Sequence, residues 1–232
     1  MRALARALTA SAGIALSPAA VAGVDILAPM QRGYAICKEQ PRGFLAVRRE
    51  AASIVLVPAQ FSRRPLAPDT PVLDFFLLSS EAPPDGCWML DTATDVPVLL
   101  RGLPGNERVP HLPQLQGLVR PGTDSRIATA LGTFDIRFPS LDPRMRAPGA
   151  EAQVKILRIA SGAWECRLGR TTFLDGKAGF EIVLAADFNG DGLPDIVVEN
   201  SPKAAFRNYE VFVSERSRNT CRAVGVRKQH FD

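Results

Sequence analysis

The chain of 232 residues is long enough for one large β domain or two small ones, and its hydrophobic content of 46% can supply a real core. Its 19 prolines and 18 glycines favour short strands and many turns over long helices. The formal net charge of +4 comes with neither a basic stripe nor interleaved aromatics, so nucleic acid is excluded as an expected partner.

The first segment carries an export pattern. Arg2 and Arg6 form a basic start, Ala7 to Leu16 is a short apolar run, and Ser17-Pro18 breaks it. Ala20-Val21-Ala22 is then a small-x-small cleavage site, so residues 1–22 are expected to be a signal peptide. The apolar run is too short to span a bilayer, and no later stretch approaches a membrane span. No cysteine follows the run directly, which argues against a lipid anchor. Removing residues 1–22, with two arginines and no acid, lowers the formal net charge from +4 to +2. The expected location is periplasmic or secreted.

Beyond Gly23 to Met30, the elements follow in order. Tyr34 to Cys37, Gly43 to Val47 and Ile54 to Val57 are expected strands. Gln60 to Pro71, rich in Pro and Arg, is expected to be a loop. Val72 to Ser79 is strongly apolar and predicts a buried strand. Pro83 to Gly86 is a turn signal, after which Cys87 to Leu90 resumes a strand with Trp88 in the core. Asp95 to Leu103 predicts another strand. Val109 to Pro121 holds prolines at 110, 113 and 121 and is expected to be a surface excursion or linker.

The second half has cleaner patterns. Phe134, Ile136 and Phe138 alternate with Asp135 and Arg137, the period of a half-buried strand. Pro139 to Gly149 is an expected loop. Val154 to Ile159 and Trp164 to Leu168 flank Ala160 to Ala163, a hairpin signal, with Trp164, Cys166 and Leu168 on one face. Asp175 to Gly179 is a further turn. Tyr209, Val211 and Val213 alternate with Glu210, Phe212 and Ser214, giving a late strand. Cys221 to Asp232 is a basic tail, expected to be pinned by a disulfide.

Four cysteines in an export context suit two disulfides, and three pairings are open. Pairing within each half, Cys37–Cys87 and Cys166–Cys221, is the expectation. None of the spacings is CxxC, which argues against zinc. No window after the leader sustains helical periodicity. The fold class is therefore mostly β: an antiparallel β-sandwich or small barrel-like fold of hairpins. An N-terminal β region over 23–120 and a C-terminal β region over 121–232 are expected, either separate or merged in one domain.

The most informative stretch is Asp187 to Ile196, DFNGDGLPDI. Oxygen-bearing side chains stand at Asp187, Asn189, Asp191 and Asp195, and the Leu193 carbonyl can fill the gap between them. Calcium takes six to eight oxygen ligands in irregular geometry, so such a loop suits it. The EF-hand is a poor match, because its twelfth position, an acid, is Val198 here. The flanks, Phe180 to Ala186 and Ile196 to Glu199, favour strands, so a strand–loop–strand calcium hairpin is expected.

ADFNGDGLPDIVVEN resembles the D-x-[DN]-x-D-G-x-x-D-[IL] loop of FG-GAP/VCBS-type repeats, found in integrin α-chain propellers and many secreted bacterial proteins. The resemblance covers about fifteen residues and implies Ca2+ held between two strands by Asp187, Asn189, Asp191, Asp195 and the Leu193 carbonyl. The wider order VLLRGLP, FDIRF, DFNGDGLPDIVVEN, YEVFVSE is similar to secreted bacterial proteins with one such loop, and implies no activity. A full propeller is not expected, since only one loop is present.

No catalytic residue is assigned. His111 and His230 stand outside any motif, and no G-x-S-x-G, H-E-x-x-H or phosphate-binding loop occurs. The expected function is that of an exported calcium-binding β-protein. Calcium would stabilise a hairpin loop, and the role would be non-catalytic binding of a protein or cell-surface ligand at the envelope. The alternative is a calcium-dependent secreted hydrolase.

Overall fold

A computed structural model describes residues 25–27, 35–37, 40–67, 86–103, 108–140, 153–173, 180–200 and 206–230. The expected signal peptide, the Val72–Ser79 strand, the Asp175–Gly179 turn and most of the 139–149 loop lie outside the described residues. Those described form three sheets and two single 3-10 turns, with no α-helix among them. The fold is mostly β, as expected.

The first sheet holds β1 (Asp25–Leu27), β3 (Phe44–Arg49), β4 (Ser53–Pro58), β7 (Leu99–Arg101) and β8 (Arg108–Pro110). Its order is β1-β7-β3-β4-β8, antiparallel throughout. A small sheet of β2 (Ala35–Ile36), β5 (Phe61–Arg64) and β6 (Cys87–Leu90) runs in the order β2-β6-β5. The large sheet begins with β9 (Gly117–Val119), β10 (Asp124–Thr129), β11 (Gly132–Arg137) and β12 (Gln153–Ser161). It continues with β13 (Trp164–Phe173), β14 (Phe180–Ala186), β15 (Asp195–Asn200), β16 (Phe206–Glu215) and β17 (Thr220–His230). Its order is β10-β11-β12-β13-β17-β16-β15-β14-β9, and it curls into a half-barrel. Only β13 and β17 pair in parallel among the described strands.

The packing explains the sequence patterns. Strands β14 to β16 are a middle layer, buried on both faces. Leu184, Ala186, Val197, Tyr209 and Val211 pack against Val47, Ile54, Leu56 and Leu100 of the first sheet. Phe180, Ile182, Ile196, Val198 and Phe212 face the other way, toward Phe134, Ile136, Ile159 and Trp164 inside the curl. A strand buried on both faces needs an unbroken apolar run, which is what IVLAA and IVV supply, with Glu181 exposed near the start of β14. Strand β11 buries one face only, so it alternates: Phe134 and Ile136 are inside, and Thr133 and Arg137 are out. Each side chain fully removed from water contributes about 1.5–3 kcal/mol. A third core lies between the first sheet and the small one, around Phe44, Leu99, Ile36 and Leu90.

Both disulfides pair as expected, Cys37–Cys87 and Cys166–Cys221, with sequence separations of 50 and 55. Closing loops of that length in the unfolded chain is worth about 4 kcal/mol each in the chain-entropy picture.

Four stretches differ from expectation. The strand expected over Asp95 to Leu103 is confined to β7, Leu99–Arg101. Phe61–Arg64, placed in a loop, is β5 and pairs with β6. The segment from Val109 to Pro121 is no surface excursion. Strand β8 closes the first sheet, a 3-10 turn follows at Pro113–Leu115, and β9 joins the large sheet. Leu112 at 0% and Leu115 at 2% exposure anchor it in the core of the curl. The basic tail is β17, which pairs along β16 from Glu215–Thr220 to Phe206–His230.

Candidate metal centre

Strands β14 and β15 are neighbours in a hairpin whose connection is the acid loop. Gly190 and Gly192 stand at φ +73 and +79, the left-handed region that glycine enters without cost and that a loop this tight requires.

Each ligand-type side chain turns into the loop. Asp187 Oδ1 and Asn189 Oδ1 both accept from the Asp191 backbone N–H at 3.0 Å, so the two oxygens converge on one point. Asp187 Oδ2 accepts from Gly192 N–H at 2.9 Å. Asp191 Oδ1 accepts from Leu193 N–H at 2.9 Å, and its Oδ2 accepts from Arg216 N–H at 3.1 Å. Leu193 itself packs its side chain against the core of the curl.

Asp195 lies deepest, at 0% exposure, with Asp187 at 5%. Its Oδ2 accepts from Phe188 N–H at 2.6 Å and from Asn189 N–H at 3.2 Å, and its Oδ1 from Ser214 N–H at 2.7 Å. Burial pushes the Asp195 carboxyl well above the usual carboxylate range. The Ser214 and Phe188 N–H bonds oppose that, and repulsion from Asp191 and Asp187 adds to it. Asp191 is raised too, by burial first, with repulsion from Asp187 contributing.

Residues outside the motif complete the site. Ser214 donates its hydroxyl to the Pro194 carbonyl at 2.6 Å, and its own carbonyl accepts from Asn189 Nδ2 at 2.9 Å. Ser214 and Arg216 belong to the far end of β16 and the turn after it. No sequence signal marks them, because only the β15–β16 pairing brings them to the loop.

The donor chemistry fits a hard divalent cation: every candidate group is an oxygen, three are carboxylates, and none of the three is in an ion pair among the described residues. Their placement here serves the backbone. The named oxygens accept N–H bonds, and among the described residues no three His, Cys, Asp or Glu side chains form a metal-holding group. Comparison with family models, curated proteins and solved structures gives no match to the chain. The likeness to FG-GAP/VCBS loops therefore rests on the loop residues alone.

Among the described residues, His111 joins no second metal-holding group. His111 sits between the sheets, with its backbone bridged to Ala186 and its ring Nε2 2.6 Å from the Gln116 amide nitrogen. No helix among the described residues is long and apolar enough to cross a membrane.

Proposed function

We propose that this is an exported, two-disulfide β-protein whose Asp187–Asp195 loop takes Ca2+ to staple the β14–β15 hairpin. Its role is non-catalytic binding of a protein or cell-surface ligand at the envelope. The observation that carries the calcium reading is the crowding of Asp187, Asp191 and Asp195. Two of the three are buried, they repel one another, and no protein cation pairs with them among the described residues. A bound divalent ion would remove that repulsion. Residues Asp187, Asn189, Asp191 and Asp195, with the Leu193 carbonyl, would hold it. Two disulfides and an export-type leader support a location in an oxidising compartment.

The test is calorimetric titration of the chain from residue 23 with Ca2+, beside the Asp187→Ala/Asp191→Ala double variant. Saturable heat in the wild type alone is expected. At a hundredfold excess over Kd, binding to the folded state alone adds about 2.7 kcal/mol of stability. No heat and no shift in melting on adding chelator would end the calcium reading.

A further inference from the structure

The large sheet has one thin seam. Its other neighbouring strands run antiparallel over three or more register pairs, whereas β13 and β17 meet in parallel at one, Glu165 opposite Thr220. The hydrogen bonds across the seam include three that reach Asn219 or Thr220. Glu165 N–H donates to the Asn219 carbonyl at 3.0 Å, the Thr220 hydroxyl to the Glu165 carbonyl at 3.1 Å, and the Trp164 indole N–H to the Thr220 carbonyl at 3.2 Å. The Cys166–Cys221 disulfide crosses the same seam.

The other side of that seam is the acid loop. Cys221 stands opposite Ser214 in the β16–β17 ladder. Ser214 gives its N–H to Asp195 and its hydroxyl to Pro194, and takes the Asn189 amide on its carbonyl. Two residues on, Arg216 N–H holds Asp191. A short path therefore runs from the disulfide through one ladder rung to three of the four ligand-type side chains.

We propose that Cys166–Cys221 is a redox-sensitive staple whose reduction opens the β13–β17 seam and loosens the acid loop behind it. The proposal stands whether or not the loop takes a cation. Cys166 is 0% exposed but Cys221 is only partly buried, while Cys37 and Cys87 are 8% and 0% exposed, so a dithiol reductant reaches this bridge first, at the Cys221 sulfur. Its thiolate attacks the Cys221 sulfur and the S–S bond breaks. Cys166 leaves as a thiolate and takes a proton. The second thiol of the reductant then displaces Cys221, which also ends as a thiol. Two electrons pass to the protein, and the reductant departs as a cyclic disulfide.

The test uses the Trp88→Phe chain, in which Trp164, one of two tryptophans, is the sole reporter. Trp164 is 3% exposed and bonded across the seam. Graded dithiothreitol is added, each disulfide is quantified by alkylation and mass spectrometry, and amide exchange is followed by NMR. Cys166–Cys221 is expected to reduce before Cys37–Cys87, with Trp164 emission moving to the red in step. Exchange at Asp191, Gly192 and Leu193 is expected to rise about tenfold or more while β3 and β4 hold. Unchanged loop exchange after reduction of Cys166–Cys221 would overturn the proposal. So would equal rises in β3 and β4, which report global unfolding, and so would prior loss of Cys37–Cys87. The Cys166→Ser/Cys221→Ser variant is a second route to the open state. Should it fail to fold, the partially reduced chain decides.

Discussion

Asp195 does more than complete a ligand pattern. It accepts three backbone N–H groups from two separate segments, and it does so fully buried. Replacing it with alanine strands those donors, each at a cost of about 1–3 kcal/mol. Asp195→Ala is therefore expected to lose about 3 kcal/mol or more in urea unfolding, with chelator present throughout. A loss under about 0.5 kcal/mol, the level of an ordinary surface change, would show that the carboxylate is not a structural cap. His111 gives a pH test at the same scale. Burial first, then Arg49, lower its pKa, and the bond to Gln116 opposes them. With the folded value below the unfolded value of about 6.5, the unfolded chain takes up the proton first. This contribution is thus complete above about pH 6.5 and is lost as pH falls through the lowered folded value. Melting temperature should drop more between pH 7 and pH 5 in the wild type than in His111→Gln, and parallel curves would refute the assignment.

At the level of elements, legibility followed locality. Strand β11 announced itself because one face is buried and the other wet, so Phe134 and Ile136 alternate with polar neighbours. The acid loop was legible because its motif residues fall within nine positions of one another. Ser214 and Arg216 were not, since they lie 19 and 25 residues from the aspartates they hold. Strand β10 carries no apolar alternation; it is a sheet edge zipped to β11 and tied by Arg126 to Asp135 at 2.7 Å. Strand β17 looks like a basic tail until its ladder to β16 and its disulfide are seen. The segment around Leu112 misled for another reason. Its prolines mark a change of direction, and the direction is inward: Leu112 N–H donates to the Ala185 carbonyl at 2.9 Å, and its side chain is buried. Leu112→Ala should cost about 2–5 kcal/mol, the penalty for emptying a core site. Chemical unfolding of that single variant is enough, and a loss near zero would return the segment to the surface.

For the molecule as a whole, the decisive feature is the core shared between the two halves of the sequence. Val47, Ile54, Leu56, Val98 and Leu100 from the first half enclose the same interior as Leu184, Val197, Tyr209 and Val211 from the second. Residues 108–119 pass from the first sheet to the large one, and Arg49 donates from β3 to the Val183 carbonyl on β14 at 2.8 Å. Neither half can expose its side of that core without stripping the other. The two halves are therefore expected to unfold together, with both disulfides intact. The tryptophans are placed to report this: Trp88 belongs to the small sheet, and Trp164 to the curl of the large one. In Trp88→Phe and in Trp164→Phe, the remaining tryptophan should lose its folded emission at the same urea midpoint as the far-ultraviolet circular dichroism of that variant. Comparing probes within one variant cancels whatever stability the substitution itself removes. Separate midpoints, with Trp88 moving before the bulk of the β signal, would mean that the shared core does not couple the halves. The first two sheets would then unfold as a unit of their own, and the curled sheet would have to be stable with the Val197 and Tyr209 face open to water.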